Sequence, residues 1–153
     1  MTTIYHGSKQ IVEYPEIRIT GFNKNFYYGF YCTLLKTQAM RWAVRLTRSG
    51  IINEYNYSPN DELHVLKFET MTEEWLDFIA QCRLEKPHDF DIVEGPMAND
   101  TIFNNVQSFV DGEISRAAFW ELAKFKHPTH QMSFHTARAL TTLKFIRGYE
   151  VHA

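Results

Sequence analysis

Two short motifs near the start of the chain combine residue types that can hold a flat, polar ring. The first is Tyr5-His6-Gly7-Ser8. The second is Asn25-Phe26-Tyr27-Tyr28-Gly29-Phe30-Tyr31-Cys32-Thr33, which runs into an amphipathic stretch holding Trp42. A His-Gly on one strand and a Gly-x-Tyr on a second, leading into a helix, can build a slot for a flat, amide-bearing ring. Glycine lets backbone N–H and C=O groups approach a ligand closely, and tyrosine offers a face for stacking. Nicotinamide is such a ring, so the pair points to chemistry on NAD.

Other reactive residues give weaker signals. His127, His130 and His135 lie close together, but Pro128 separates the first two, and no acid or thiolate is spaced to complete a metal site. Cys32 and Cys82 are far apart and form no C-x-x-C pair, which disfavours a disulfide framework or a zinc ribbon. Arg41, Arg45 and Arg48 share a helical neighbourhood that could meet phosphates of NAD or of a nucleic acid.

The elements that must position these groups follow from apolar spacing. Ile4 to His6 reads as a first strand, residues 9–24 as irregular, and Gly29 to Thr33 as a second strand. Leu35, Ala39, Trp42, Ala43 and Leu46 mark a helix with one apolar face, and Gly50 is a plausible stop beyond it. Leu63 to Phe68 is β-like. A second helix carries Trp75, Phe78, Ile79 and Cys82, with Thr72 as its cap. Asp91 to Val93 reads as a strand ending at Gly95-Pro96. Helices follow over Ile102–Val110 and Ile114–Phe125. Gln131 to Thr136 is β-like, a short helix spans Ala137–Leu143, and Phe145, Tyr149 and Val151 fall on one face of a last strand. Strands and helices mix without a strict βαβ alternation, which favours α+β.

Size and composition set bounds. The 153 residues fit one domain over 1–153, 44% hydrophobic and 22% charged, as in ordinary soluble proteins. Aromatics reach 15%, which suits a ring-rich core or a stacking site. The formal charge of −2 advertises no global field for nucleic acid. No signal peptide or membrane-length apolar run is found, so a cytoplasmic protein without membrane contact is expected.

The second motif resembles a signature of the diphtheria-toxin and poly(ADP-ribose)-polymerase branch of ADP-ribosyltransferases, which carries His, Tyr and Glu on three strands. His6-Gly7 is similar to the first signature. Gln131-Met132-Ser133-Phe134 fits the third, with Gln in place of Glu. Nearly the whole chain also resembles a small bacterial family sharing Tyr-His-Gly-Ser, Gly-Phe-Tyr-x-Thr, Gly-Pro-x-Ala-x-Asp and Gln-x-x-Phe-x-Thr. Its members are similar to toxins of toxin–antitoxin or phage-defence operons. The resemblance implies an α+β domain with a split β-sheet core flanked by helices. It also implies an NAD-dependent mono-ADP-ribosyltransferase, a macromolecular acceptor (protein or nucleic acid) and a cognate antitoxin. Related sequences usually read Asp-Phe-Gly where this chain has Asn25-Phe26-Tyr27.

On this reading the Gly7 backbone holds the nicotinamide carboxamide, and His6 bonds a ribose hydroxyl of the adenosine half. Tyr31 stacks on the ring, with Trp42 as the counterpart of an aromatic that closes its other side. The serine expected three residues before Trp42 is Ala39, and Ser8 is the candidate to replace its hydrogen bond. Cleavage of the nicotinamide–ribose bond passes through an oxocarbenium-like state, which a nearby carboxylate would stabilise. Gln131 can hydrogen-bond the ribose but cannot act as a base. The region from Asp91 to Asp100 is the best source of an acid, with Asp100 as the supplementary carboxylate and Asn99 as a polar contact. The rival expectations are an NAD glycohydrolase, a catalytically silent NAD- or ADP-ribose-binding module, and an interaction domain that binds no nucleotide.

Overall fold

The computed structural model describes residues 2–17, 26–97, 100–124, 126 and 128–153. Among these, seven strands and five helices form a mixed α+β architecture with two sheets. The chain order is β1 (Thr2–Ser8), β2 (Phe30–Cys32), α1 (Lys36–Ala43), β3 (Ser49–Tyr57), β4 (Val65–Lys67) and α2 (Glu73–Arg83). There follow β5 (Ile92–Met97), α3 (Asp100–Val110), α4 (Arg116–Ala123), β6 (Thr129–Phe134), α5 (Ala137–Leu140) and β7 (Leu143–His152). The three-stranded sheet has the order β1-β3-β7, and the four-stranded sheet has the order β2-β6-β5-β4. All pairings are antiparallel except β4 with β5.

Among the described residues the two sheets share one backbone bridge, where Tyr5 and Thr33 exchange both hydrogen bonds at 2.9 Å, and an apolar cluster packs between them. Alternation along the strands then divides the apolar residues into two clusters. Ile4, Phe30, Cys32, Tyr55, Ile92, Met132 and Phe134 fill one. Phe26, Trp75, Leu76, Ile79, Val93, Met97, Ile102, Val106 and Phe119 fill the other, beneath α2, α3 and α4.

Helix α1 lies directly on two glycines. A Cβ at Gly7 would sit 2.1 Å from the Ala39 carbonyl oxygen and 2.7 Å from Ala43 N. A Cβ at Gly50 would sit 2.0 Å from the Ala43 carbonyl oxygen. Gly50 is therefore no helix stop. It belongs to β3, and the helix ends earlier, at Ala43. Leu46, expected on the buried face, is 96% exposed beyond the helix end. There Lys9 Nζ reaches the Ala43 carbonyl and bonds Thr47 Oγ1 at 2.5 Å.

Other expectations need correction. Strand β3 is central, with Gly50, Ile52, Asn53, Glu54 and Tyr55 buried, and it fills a stretch where no strand is expected from apolar spacing. Strand β5 runs through Gly95-Pro96 instead of stopping there. Phe68 N donates to the Glu94 carbonyl where β4 ends, so the missing N–H of Pro96 breaks no rung, and the Pro96 carbonyl takes the Trp75 indole N–H at 2.9 Å. Leu143 starts β7 rather than ending α5. The β3–β7 register shifts between Tyr55↔Phe145 and Glu54↔Arg147, leaving Ile146 as an extra residue. Phe145 thus faces the Tyr55 side while Tyr149 and Val151 face the other, so the three do not share a face. Thr72 does cap α2, its hydroxyl accepting from Trp75 N at 3.2 Å.

Asp91 clamps the end of the four-stranded sheet. Its carboxylate accepts from Arg138 Nε (2.9 Å) and Nη2 (2.7 Å), Thr136 Oγ1 (2.6 Å) and His64 N (2.9 Å). The Arg138 bonds hold its carboxyl well below the usual range against the opposing effect of burial.

Because the Ala43 backbone fills the space, Gly50→Ala should lower unfolding free energy by about 2 kcal/mol, as overpacked sites do. Urea denaturation measures this. A neutral or stabilising result would contradict the close seating of α1.

Candidate functional site

The site is built where the bridge between the sheets stops. Tyr5 directs its N–H and C=O toward β2, as its bonds to Thr33 show. Two residues on, Gly7 must direct its own N–H and C=O the same way, away from β3. Continuing the register would set Gly7 opposite Tyr31. That rung does not form, because His6 Nδ1 takes the Tyr31 carbonyl at 2.6 Å. A carbonyl only accepts, so Nδ1 carries the proton. The His6 ring is steadied by Phe30, with centroids 4.2 Å apart and planes at 30°. One imidazole thus ends the ladder between β1 and β2 and leaves the Gly7 amide and carbonyl on an open edge, with no partner among the described residues.

Tyr31 stands on the other arm of the fork, paired with Ser133 on β6. Its hydroxyl points into the preceding turn, accepting from Phe26 N at 3.0 Å and donating to the Tyr27 carbonyl. Burial raises its pKa far above the usual tyrosine value, so it stays protonated. Its half-buried ring packs against the second cluster and meets His135 edge to face at 6.4 Å.

The 26–28 turn is held by side chains at three successive carbonyls. His88 Nε2 donates to Phe26 O at 2.8 Å, Tyr31 to Tyr27 O, and His135 Nδ1 to Tyr28 O at 2.7 Å. His88 Nδ1 accepts from Phe90 N at 3.1 Å, which fixes that ring as a neutral tautomer. His135 Nε2 meets Ser133 Oγ at 2.7 Å, a hydroxyl that also lies 3.2 Å from the Val93 carbonyl. The two histidine rings meet edge to face at 4.4 Å. Burial, with the neighbouring His88, brings the pKa of His135 down to about 4 despite the bond to Tyr28, and burial also lowers that of His88. Gly29 is required here because a Cβ would lie 2.8 Å from the Phe134 carbonyl and 2.9 Å from His135 Nδ1. Tyr27 has φ +81°, in the region that favours glycine. It is the position at which the resemblance implies Gly. Asn25, the other departure noted there, lies outside the described residues.

The remaining expected site residues fall as follows. Ser8 closes the turn after β1, its hydroxyl accepting from Gln10 N at 3.3 Å. Trp42 is half-buried on α1, its Cβ 3.0 Å from where a Cβ on Gly7 would be. Gln131 is buried on β6, opposite Gly95 and two residues from Ser133, so it shares the face of Tyr31. Asn99 lies outside the described residues. Asp100 opens α3, and its side chain is likewise outside them. The structure therefore gathers His6, Gly7, Tyr31, Trp42 and Gln131 about one fork.

Further polar groups lie near the fork. Glu94 lies on the opposite sheet face from Gln131 and is held by His130 Nε2 at 2.7 Å, a bond that lowers its pKa. His130 Nδ1 accepts from Leu34 N at 3.2 Å, at the start of the turn into α1. His130 and His135 thus do separate jobs, and no three potential metal ligands converge among the described residues; His127 lies outside them. Arg41, Arg45 and Arg48 are exposed. Gln38, buried on α1, has an orphaned Oε1. A buried amide inside an otherwise apolar helical face was the available signal for it. No helix of the described residues is long and apolar enough to cross a membrane.

Residues 2–145 match the model of the family described as protein of unknown function (DUF3990), and the chain belongs to that family. None of the curated proteins matches the chain.

Two predictions follow from the turn. Alanine normally stabilises a chain more than glycine, but at a left-handed position the order reverses. Tyr27→Gly should be more stable than Tyr27→Ala by about 1 kcal/mol in urea melts, since both remove the ring and only one relieves the backbone. The second concerns pH. The unfolded chain protonates His135 near pH 6.5 and the folded chain only near 4. Stability present above 6.5 is therefore lost as pH falls from 6.5 toward 4. His135→Asn should shrink the drop in urea midpoint between pH 7 and pH 4.5, and an unchanged drop would contradict a neutral His135.

Proposed function

We propose that this protein is an NAD-dependent mono-ADP-ribosyltransferase with an ADP-ribosyltransferase-like split sheet. The observation that carries the reading is the broken ladder: His6 occupies the Tyr31 carbonyl, and the Gly7 N–H and C=O are left facing the fork. One donor and one acceptor on a rigid strand suit the carboxamide of nicotinamide. The Tyr31 ring and Trp42 flank the planar group. Gln131, on the face of Tyr31, bonds a ribose hydroxyl.

In the reaction the bond between ribose C1′ and the nicotinamide nitrogen breaks. Nicotinamide leaves with the electron pair, which cancels its ring charge. The acceptor nucleophile bonds C1′, and its proton passes to a base or to water. The chain's own residues act mainly by positioning. Gln131 carries no charge, so stabilisation of the sugar cation falls to hydrogen bonding and to a further carboxylate. Asp91 is committed to Arg138 and Glu94 to His130. That leaves Asp100, at the start of α3, as the proposed acid, with Asn99 beside it. The acceptor is a protein or a nucleic acid. The pairing with an antitoxin, and a role in phage defence, rest on the family resemblance alone.

A second reading has its own observation. An uncharged Gln at the position of the acid favours a slow NAD glycohydrolase or a silent binding module over an efficient transferase. Incubation with labelled NAD separates these. Nicotinamide release only in the presence of cell extract, with label on a nuclease- or protease-sensitive product, is the expected result. Release without extract would mean hydrolysis, and binding without release a silent module. Gln131→Glu should raise turnover by about 100-fold, the low end of what a general base contributes. Absence of both NAD binding and release would overturn the proposal.

A further inference from the structure

We infer that Gln38 is a specificity-determining residue that accepts the second amide hydrogen of the nicotinamide carboxamide; the inference rests on the proposed function. Helix α1 is seated across all three strands of its sheet. Ala39 and Ala43 lie over Gly7 on β1, the Ala43 carbonyl lies over Gly50 on β3, and Lys36 Nζ reaches the Tyr149 ring on β7 at 5.0 Å. Lys36 and Ala43 therefore mark the flank of the helix toward β3 and β7. With about 3.6 residues per turn, Gln38 and Trp42 share the opposite flank. In a sheet ordered β1-β3-β7 that flank overhangs the free edge of β1. It is the same edge to which Gly7 presents its unpaired N–H and C=O.

Gln38 is only 3% exposed there, and its Oε1 has no hydrogen-bond partner. A buried acceptor left unpaired carries a desolvation penalty. A ligand that supplies the missing donor removes that penalty. The carboxamide has one C=O and two N–H groups. Gly7 N–H can serve the oxygen and Gly7 C=O one hydrogen, so the second hydrogen requires another acceptor. Ala39 has no side chain to offer one, and the Ser8 hydroxyl is engaged by Gln10 N. Gln38 Oε1 is a buried acceptor on the correct flank. An acceptor at this point also repels a carboxylate, so the site should discriminate the amide dinucleotide from its nicotinic acid analogue.

The test compares NAD, nicotinic acid adenine dinucleotide and ADP-ribose by calorimetry on the wild type, Gln38→Met and Gln38→Glu. The wild type should prefer NAD over the acid analogue by 10-fold or more. Gln38→Met should weaken NAD by about 10-fold, leave ADP-ribose unchanged and so collapse the preference. The same variant should melt about 2–4 °C higher, because it removes an orphaned polar atom at similar volume. Gln38→Glu, which keeps an acceptor, should keep the preference. If Gln38→Met retains the preference, or weakens ADP-ribose as much as NAD, or melts lower, the inference fails while the proposed function stands. A wild type with no affinity for NAD removes both.

Discussion

The ladder between the two sheets consists of the two hydrogen bonds between Tyr5 and Thr33, and the candidate site depends on its stopping there. If β1 and β2 zipped one rung further, Gly7 would spend its amide on Tyr31 and the fork would close. The imidazole of His6 prevents this by occupying the carbonyl that Gly7 would have used. Stacking on Phe30 keeps the ring in place. A side chain is thus exchanged for a backbone rung, and the released backbone groups are the ones on which the proposed function relies. Helix α1 completes the arrangement from above by lying on Gly7 and Gly50, so the edge of β1 is both rigid and roofed.

The elements flanking the motifs were legible because their signals are local. Thr72 before Glu73-Glu74 and an apolar spacing that continues to Cys82 announce α2, and the alternation around Ile4 announces β1. Strand β3 was not legible because its central residues include Asn53 and Glu54, which read as surface. Both are buried and satisfied by tertiary partners. Asn53 Oδ1 accepts from Val12 N at 2.8 Å, and Glu54 takes Arg147 and Tyr149 from the neighbouring strand. Burial pushes the Glu54 carboxyl up, but these bonds outweigh it and hold it below its usual range. No pattern in one sequence reveals such compensation. The bulge at Ile146 was hidden for a similar reason, since a single extra residue exchanges the two faces of β7 without altering its composition.

Within the site, residue types were legible and orientations were not. Tyr31 reads as a stacking residue, yet its hydroxyl is committed to the turn before it. Trp42 reads as core and stands half-buried at the edge of the fork. The late histidines read as a cluster, but each serves a different strand or turn. Gln38 carries no motif at all. It becomes visible only when burial and hydrogen bonding are examined together.

The three-carbonyl clamp on the 26–28 turn bears on the order in which the molecule assembles. Its donors stand at positions 31, 88 and 135, so two of the contacts close long stretches of chain. Loops of that length carry a large entropic barrier until other contacts have drawn their ends together. The clamp is therefore complete only when β6 is in place beside β2. The left-handed Tyr27 makes the same turn reluctant to form alone. The shape of the fork thus rests on residues far along the chain from the motif that forms it.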